Sequence, residues 1–193
     1  PQIAAEFHCD KHVVKMILEE CQMLCTAHRI LDGEEVEGRT KTGRRVKRWK
    51  LDDQRDSILY QATHVNHPCT QWSMYNNQNY IWSVSLLRCL LDEYQYRYGK
   101  KHKCSGEISY MLQSPPKKLE NYDWTPMPSC MDDQYIISND PVVNYRNYYK
   151  NGKVDVFYDA ISHILLGYKE ENKTIVQNKN NKRNSLGNKE QSS

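Results

Sequence analysis

The sequence lacks any long hydrophobic run. Its apolar stretches are broken within five or six residues, so no segment reads as a membrane-spanning helix and no membrane partner is expected. It has no Gly-rich phosphate loop, no dinucleotide fingerprint, no HExxH and no CxxC, which removes the usual signatures of ATP, nicotinamide and zinc chemistry. No cofactor is therefore expected. Seven cysteines, at positions 9, 21, 25, 69, 89, 104 and 130, are an odd number and form no disulfide framework. Several sit beside apolar residues in helical patterns, where a reduced thiol acts as a small hydrophobe. With no signal-peptide pattern either, an intracellular, reducing setting is expected. Phenylalanine is scarce as well, two against fourteen tyrosines. Codon usage in an AT-rich genome accounts for that ratio as readily as function does. Internal repeats and a clear β-hairpin pattern are also missing.

What is present fits one domain with a real core. The last 25 residues, 169–193, are rich in Asn and Lys, hold six basic and three acidic residues, and cannot bury enough surface to order themselves. A domain over 1–168 and a disordered tail over 169–193 are expected. The whole chain is +3 and so is the tail, which leaves the body neutral. Any polyanionic partner must therefore be met by local charge clusters. Helical periodicity predicts helices over about 2–30, 52–63, 71–98, 141–150 and 154–167, with 99–130 irregular around its glycine and prolines. The expected fold is all-α: a compact bundle of two long helices plus shorter ones, with long irregular loops.

The first helix carries an unusual line. His8, His12, Lys15, Glu19 and Gln22 follow at helical spacing on one face, while Val13, Val14, Met16, Ile17, Leu18 and Cys21 flank them. A carboxylate between apolar flanks favours its neutral form and a nearby cation opposes that, a combination that can hold a general acid or base near working pH. The same line can equally be a structural polar network. Metal ligation along this helix, from His8, Cys9, His12, Cys21, Cys25 and His28, fails on spacing, because the two i, i+4 pairs lie more than two turns apart. No metal site is expected.

Residues 39–50, RTKTGRRVKRWK, hold seven basic residues and no acidic one. Arg44, Arg45, Lys47, Arg48 and Lys50, with Trp49 available for stacking, suit contact with a phosphate backbone. Alternatively the strip neutralises the acidic DGEEVEG before it. A second aromatic and basic group, NYRNYYKNGK over 144–153, offers Arg146, Tyr148, Tyr149 and Lys150.

In order along the chain these pieces resemble the phage-type pyrimidine-dimer DNA glycosylases, the endonuclease V of ultraviolet repair, and divergent proteins of large DNA phages. The family motif Asp-x-His, then Glu after six residues, corresponds to Asp10, His12 and Glu19. The family's Gly-Lys-Arg-Val-Arg-Asp-Phe-Lys corresponds to residues 43–50. His64-Val65 and the segment ending at Gly152-Lys153 also follow the family's order, so the likeness covers about residues 1–153. The family's arginines on either side of the glutamate are replaced by Leu18 and Gln22. The resemblance implies an all-α glycosylase with abasic-site lyase activity on damaged or modified pyrimidines. It implies Glu19 as the catalytic carboxylate, His12 and Gln22 as positioning groups, and a terminal amine, here that of Pro1, as nucleophile. His8, Lys15, His64 and His67 are the expected substrate contacts, and the basic and tyrosine-rich segments the expected contacts to duplex DNA. Two further readings stay open: a viral protein that binds or cleaves a nucleotide in host signalling, and a DNA-binding module without catalysis.

Overall fold

The computed structural model describes residues 1–152. The elements are α1 (Gln2–Glu6), α2 (Asp10–Asp32), β1 (Glu34–Arg39), β2 (Arg45–Lys50), α3 (Arg55–Ile58), α4 (Pro68–Tyr75), α5 (Asn77–Tyr98), α6 (Glu107–Met111) and α7 (Pro141–Gly152). The chain is mostly helical, with one two-stranded sheet, so the purely all-α expectation is corrected. Residues 1–148 form one compact unit; a second begins at Tyr149 and is described only as far as Gly152. The helix expected over 154–167 and the tail over 169–193 lie outside the described residues.

Two helices predicted as continuous are each broken. The first stops at Glu6 and restarts at Asp10, with Cys9 extended at the break. Nothing local forces this, since no Pro or Gly is present. The cause is Arg97 of α5, whose guanidinium donates to the carbonyls of Glu6 (3.0 Å) and His8 (2.7 Å) and to Asp10 (3.0 Å). A charged donor captures carbonyls that a continuous helix would use internally. The second break falls at Asn76, which is extended and caps α5 by accepting from the Asn79 amide at 2.8 Å. An Asn at this position is a helix-start signal. The other end of α5 stops at Gly99, whose φ of 63° favours a residue without a Cβ.

The core lies between α2 and α5. Val13, Ile17, Cys21 and Leu24 of α2 join Val84, Leu87, Leu90 and Tyr94 of α5, closed by Leu51, Leu59, Cys104, Ile108 and Leu112. The first turns of α2 bury one side only, whereas Met23–Arg29 are buried without exception. Buried amides fasten the irregular segment between α6 and α7. Asn79 donates to the Trp72 carbonyl and the Thr125 hydroxyl and accepts from the Thr125 amide. Asn144 accepts from the amides of Ile137 and Ser138 and donates to the Ser129 hydroxyl and the Ser138 carbonyl. Both buried amides are thereby satisfied by the segment they position.

Candidate functional site

The predicted polar line on α2 is real but lies nearer the surface than its apolar flanks implied. His8, His12, Glu19 and Gln22 are half-buried and Lys15 is exposed. The flanking Val14 is itself 40% exposed. Lys15 Nζ lies 3.2 Å from Glu19 Oε1, one helical turn away. The Gln22 carbonyl accepts from the Thr26 hydroxyl at 2.8 Å. His8 sits in the α1–α2 break, where its ring meets the Ala4 carbonyl. Burial pushes its pKa down and Arg97 adds to this, against the opposing Ala4 hydrogen bond. Pro1 is the exposed cap of α1.

Next in the chain, Glu20 behaves in the opposite way to Glu19. It is 6% exposed, and its Oε2 has no hydrogen-bond partner. Burial, reinforced by the charge of Glu19, raises its pKa to about 8. Consecutive helical residues point about 100° apart, so one carboxylate faces solvent and its neighbour faces the protein. The sequence pattern alone favoured Glu19, and the perturbed carboxyl is Glu20.

Glu20 lies close enough to Cys69 for its charge to raise that thiol's pKa. Cys69 and Cys130 meet with their sulfurs 3.3 Å apart, and His67 stands beside them, all three ligand atoms within 4.8 Å of one another. The two thiols interact directly, which lowers Cys130 to about 7 and raises Cys69. His67 Nδ1 caps α4 by accepting from the Cys69 amide at 3.2 Å. The turn before it is fixed by His64 in the left-handed region (φ 52°), whose carbonyl accepts from the His67 amide at 2.9 Å. His64 and His67 are exposed and so accessible. The sequence reading placed His67 among substrate contacts and missed its neighbours. The separation of 61 residues between Cys69 and Cys130 hid the pair.

The basic strip forms β2 and pairs antiparallel with the acidic segment as β1, in register Glu34↔Lys50 through Arg39↔Arg45. A hairpin was not expected, because Glu and Gly in β1 give weak strand propensity. Cross-strand pairing supplies what propensity does not. On one face Arg45 reaches Glu37 (3.4 Å) and Lys47 reaches Glu35 (2.8 Å). On the other face the Arg48 stem lies over Gly38, where an added Cβ would meet Arg48 Cγ at 2.5 Å. The strip is thus partly neutralised by its own partner strand. Lys41 and Arg44 at the tip, and Arg48, pair with no carboxylate among the described residues. Trp49 and Lys50 stand at the base, where the Trp49 carbonyl accepts from Arg29 at 2.8 Å.

Of the tyrosine-rich group, Arg146 is exposed on α7 and Tyr148 packs on Tyr135 with ring centroids 5.0 Å apart. Tyr149 and Lys150 belong to the second unit. No helix among the described residues is long and apolar enough to cross a membrane. No family model, no curated protein and no solved structure matches this chain.

Proposed function

We propose that this chain is a DNA-acting enzyme of the glycosylase type, with associated abasic-site lyase activity on damaged or modified pyrimidines. The observation that carries this reading is the open seam of α2, where a carboxylate and an amine stand 3.2 Å apart on an accessible face. Loss of a base leaves an electron-poor sugar carbon, which an adjacent carboxylate stabilises. An amine then attacks C1′, the base departs with the bonding pair of the N-glycosidic bond and takes up a proton, and the aminal left behind opens at the C1′–O4′ bond, giving an imine with O4′ released as a hydroxyl. Lys15 is the amine beside Glu19 and takes the place of the Pro1 amine that the resemblance implies; its proton passes to water, so that Glu19 stays ionised toward the sugar. His12 and Gln22 flank the pair on the same face. The β1–β2 arm supports the same reading, since a two-stranded ribbon fits the major groove and its tip carries unpaired Lys41 and Arg44. Arg45 and Lys47 exchange Glu37 and Glu35 for phosphates, while Arg146 with the tyrosines of α7 adds backbone contacts. A binding module without catalysis is favoured by one observation only: an i, i+4 Lys–Glu pair is an ordinary helix-surface contact.

Borohydride reduction on an abasic oligonucleotide tests the chemistry. The wild type traps a covalent adduct, Lys15→Ala does not, and Glu19→Gln slows trapping by roughly 10²–10³-fold. No adduct from the wild type, together with no nicking of ultraviolet-irradiated plasmid, overturns the enzymatic reading. A salt series separates DNA from a nucleotide. About four phosphate contacts give a log–log slope of roughly −3 to −4, whereas a nucleotide pocket gives no preference for long DNA.

A further inference from the structure

We propose that His67, Cys69 and Cys130 bind a zinc ion, with the buried Glu20 carboxylate as the acidic group beside it. Four observations converge. The three ligand atoms lie within 4.8 Å of one another, and the two sulfurs are 3.3 Å apart. Two thiolates bound about 2.3 Å from a tetrahedral zinc sit about 3.7 Å apart, so the metal needs an opening of only about 0.4 Å. Glu20 Oε2 is buried without a hydrogen-bond partner, and an orphaned buried carboxylate oxygen is relieved by a nearby cation. Finally, both halves of the site are held independently of any ion. On one side the Thr26 hydroxyl of α2 accepts from the Thr63 amide (3.0 Å) and shares its one proton between the carbonyls of Thr63 (2.9 Å) and Gln22 (2.8 Å), setting the turn that delivers His67 and Cys69. On the other, the Tyr145 hydroxyl accepts from the Cys130 amide (3.3 Å) and donates to the Pro128 carbonyl (3.1 Å).

The donor set selects the metal class. Two soft thiolates and one imidazole favour zinc over calcium or magnesium, which take oxygen ligands. Ligation replaces the S–H bonds by S–Zn bonds and releases about two protons per metal. Ligation by His67 ends the Cys69 amide contact by either route, because zinc at Nδ1 takes its one lone pair and zinc at Nε2 requires the tautomer that protonates Nδ1. Three protein ligands leave a fourth position, the arrangement of a site that holds a water or a substrate atom rather than a closed structural centre. None of its ligands belongs to the Lys15–Glu19 pair, and its test does not depend on glycosylase activity.

The test uses the full chain, purified reduced and without chelator. Elemental analysis gives about one zinc per chain. After stripping, cobalt(II) produces thiolate-to-cobalt charge-transfer absorption and tetrahedral visible bands. Cys69→Ser and Cys130→Ser abolish both signals, while Cys89→Ser on α5 leaves them unchanged. Glu20→Gln keeps the bands but weakens zinc affinity by roughly 10–100-fold. Far-ultraviolet circular dichroism identifies any variant that fails to fold, and the wild-type cobalt spectrum decides the matter without variants. Three results overturn the proposal: a cobalt spectrum without thiolate bands, bands that survive in both cysteine variants, or metal-free native protein whose Cys69 and Cys130 are recovered as one disulfide-linked peptide.

Discussion

Arg29 is the perturbation that most directly tests how the β1–β2 arm is attached. Its side chain is fully buried, and all five of its N–H groups are used. Nε donates to the Tyr60 carbonyl (2.6 Å). Nη1 donates to the Trp49 carbonyl (2.8 Å) and to Asp56 Oδ1 (2.7 Å). Nη2 donates to the carbonyls of Asp56 (2.8 Å) and Leu59 (2.7 Å). One guanidinium therefore joins α2 to the end of β2 and to both sides of α3. Arg29→Met keeps the apolar stem and removes every donor. The Asp56 carboxylate is 36% exposed and still accepts from the Leu51 amide at 3.0 Å, so it finds water. The buried Leu59 carbonyl and its half-buried neighbours do not, at about 1–3 kcal/mol for each orphaned group. Counting two such groups gives a loss of about 2–6 kcal/mol, a span centred on the roughly 3–5 kcal/mol found when one partner of a buried pair is removed. With a urea m-value of about 2 kcal/mol/M, the midpoint falls by about 2 M. Arg29→Lys restores the charge but not the fork, and recovers roughly half of the loss. An Arg29→Met midpoint within about 0.25 M of wild type, equivalent to about 0.5 kcal/mol, or full recovery by lysine, refutes the reasoning.

Three further perturbations follow from the same network logic. His28 accepts from Arg55 (2.8 Å) and meets the Tyr80 hydroxyl (2.8 Å), with Asp32 and Asp53 also near. Burial, then Arg55, lowers its pKa to about 4 from 6.5. The unfolded chain therefore takes up a proton that the folded chain refuses, and stability falls as pH drops from 6.5 to 4, by about 3 kcal/mol. His28→Gln flattens that window in pH-dependent urea melts, leaving a separate loss at lower pH as Asp53, held at about 2 chiefly by Arg55, takes its proton. Arg97→Ala frees the carbonyls of Glu6 and His8 and is expected to speed proteolysis at 7–9, with a stability loss of about 2 kcal/mol; unchanged cleavage argues against its role in the α1–α2 break. Asn79→Ala removes the partner of the Thr125 amide and hydroxyl and of the Trp72 carbonyl and costs about 2–3 kcal/mol in thermal melts, with faster hydrogen exchange at the Thr125 amide as its signature.

What the sequence made legible was set by how local each cause is. Helical periodicity placed α2, α5 and α7 because a buried stripe is written in neighbouring residues. The helix breaks at residues 7–9 and at Asn76 differ in kind. Asn76 is a local cap signal that could have been read, followed three residues later by the amide it binds. The earlier break depends on Arg97, far along the chain, and no local pattern announces it. The hairpin stayed hidden because its stability comes from pairing a Glu-rich segment with a Lys/Arg-rich one, a property of two segments jointly. The acidic neighbour considered as a neutralising partner is that second strand. The thiol pair was invisible for the same reason, its members being joined only through the folding of the irregular segment after α6.

The two adjacent glutamates show why these levels must be kept apart. The resemblance chose Glu19 from order and spacing, and burial singles out Glu20, one residue and about 100° further round α2. If chemistry at the seam is electrostatic stabilisation of a sugar cation, it needs an ionised carboxylate that substrate can approach, which is Glu19. If chemistry at the thiol pair is metal ligation, it needs a desolvated negative charge beside the ion, which is Glu20. Each role excludes the other's environment: a solvated carboxylate gains little from compensating a metal, and a buried one cannot meet duplex DNA. Glu19→Gln is therefore expected to leave zinc affinity unchanged while slowing imine trapping, and Glu20→Gln to weaken zinc while DNA retention persists. A single variant that damages both readouts, in protein shown to be folded, means that the seam and the thiol cluster are one site and that the division drawn between these carboxylates is wrong.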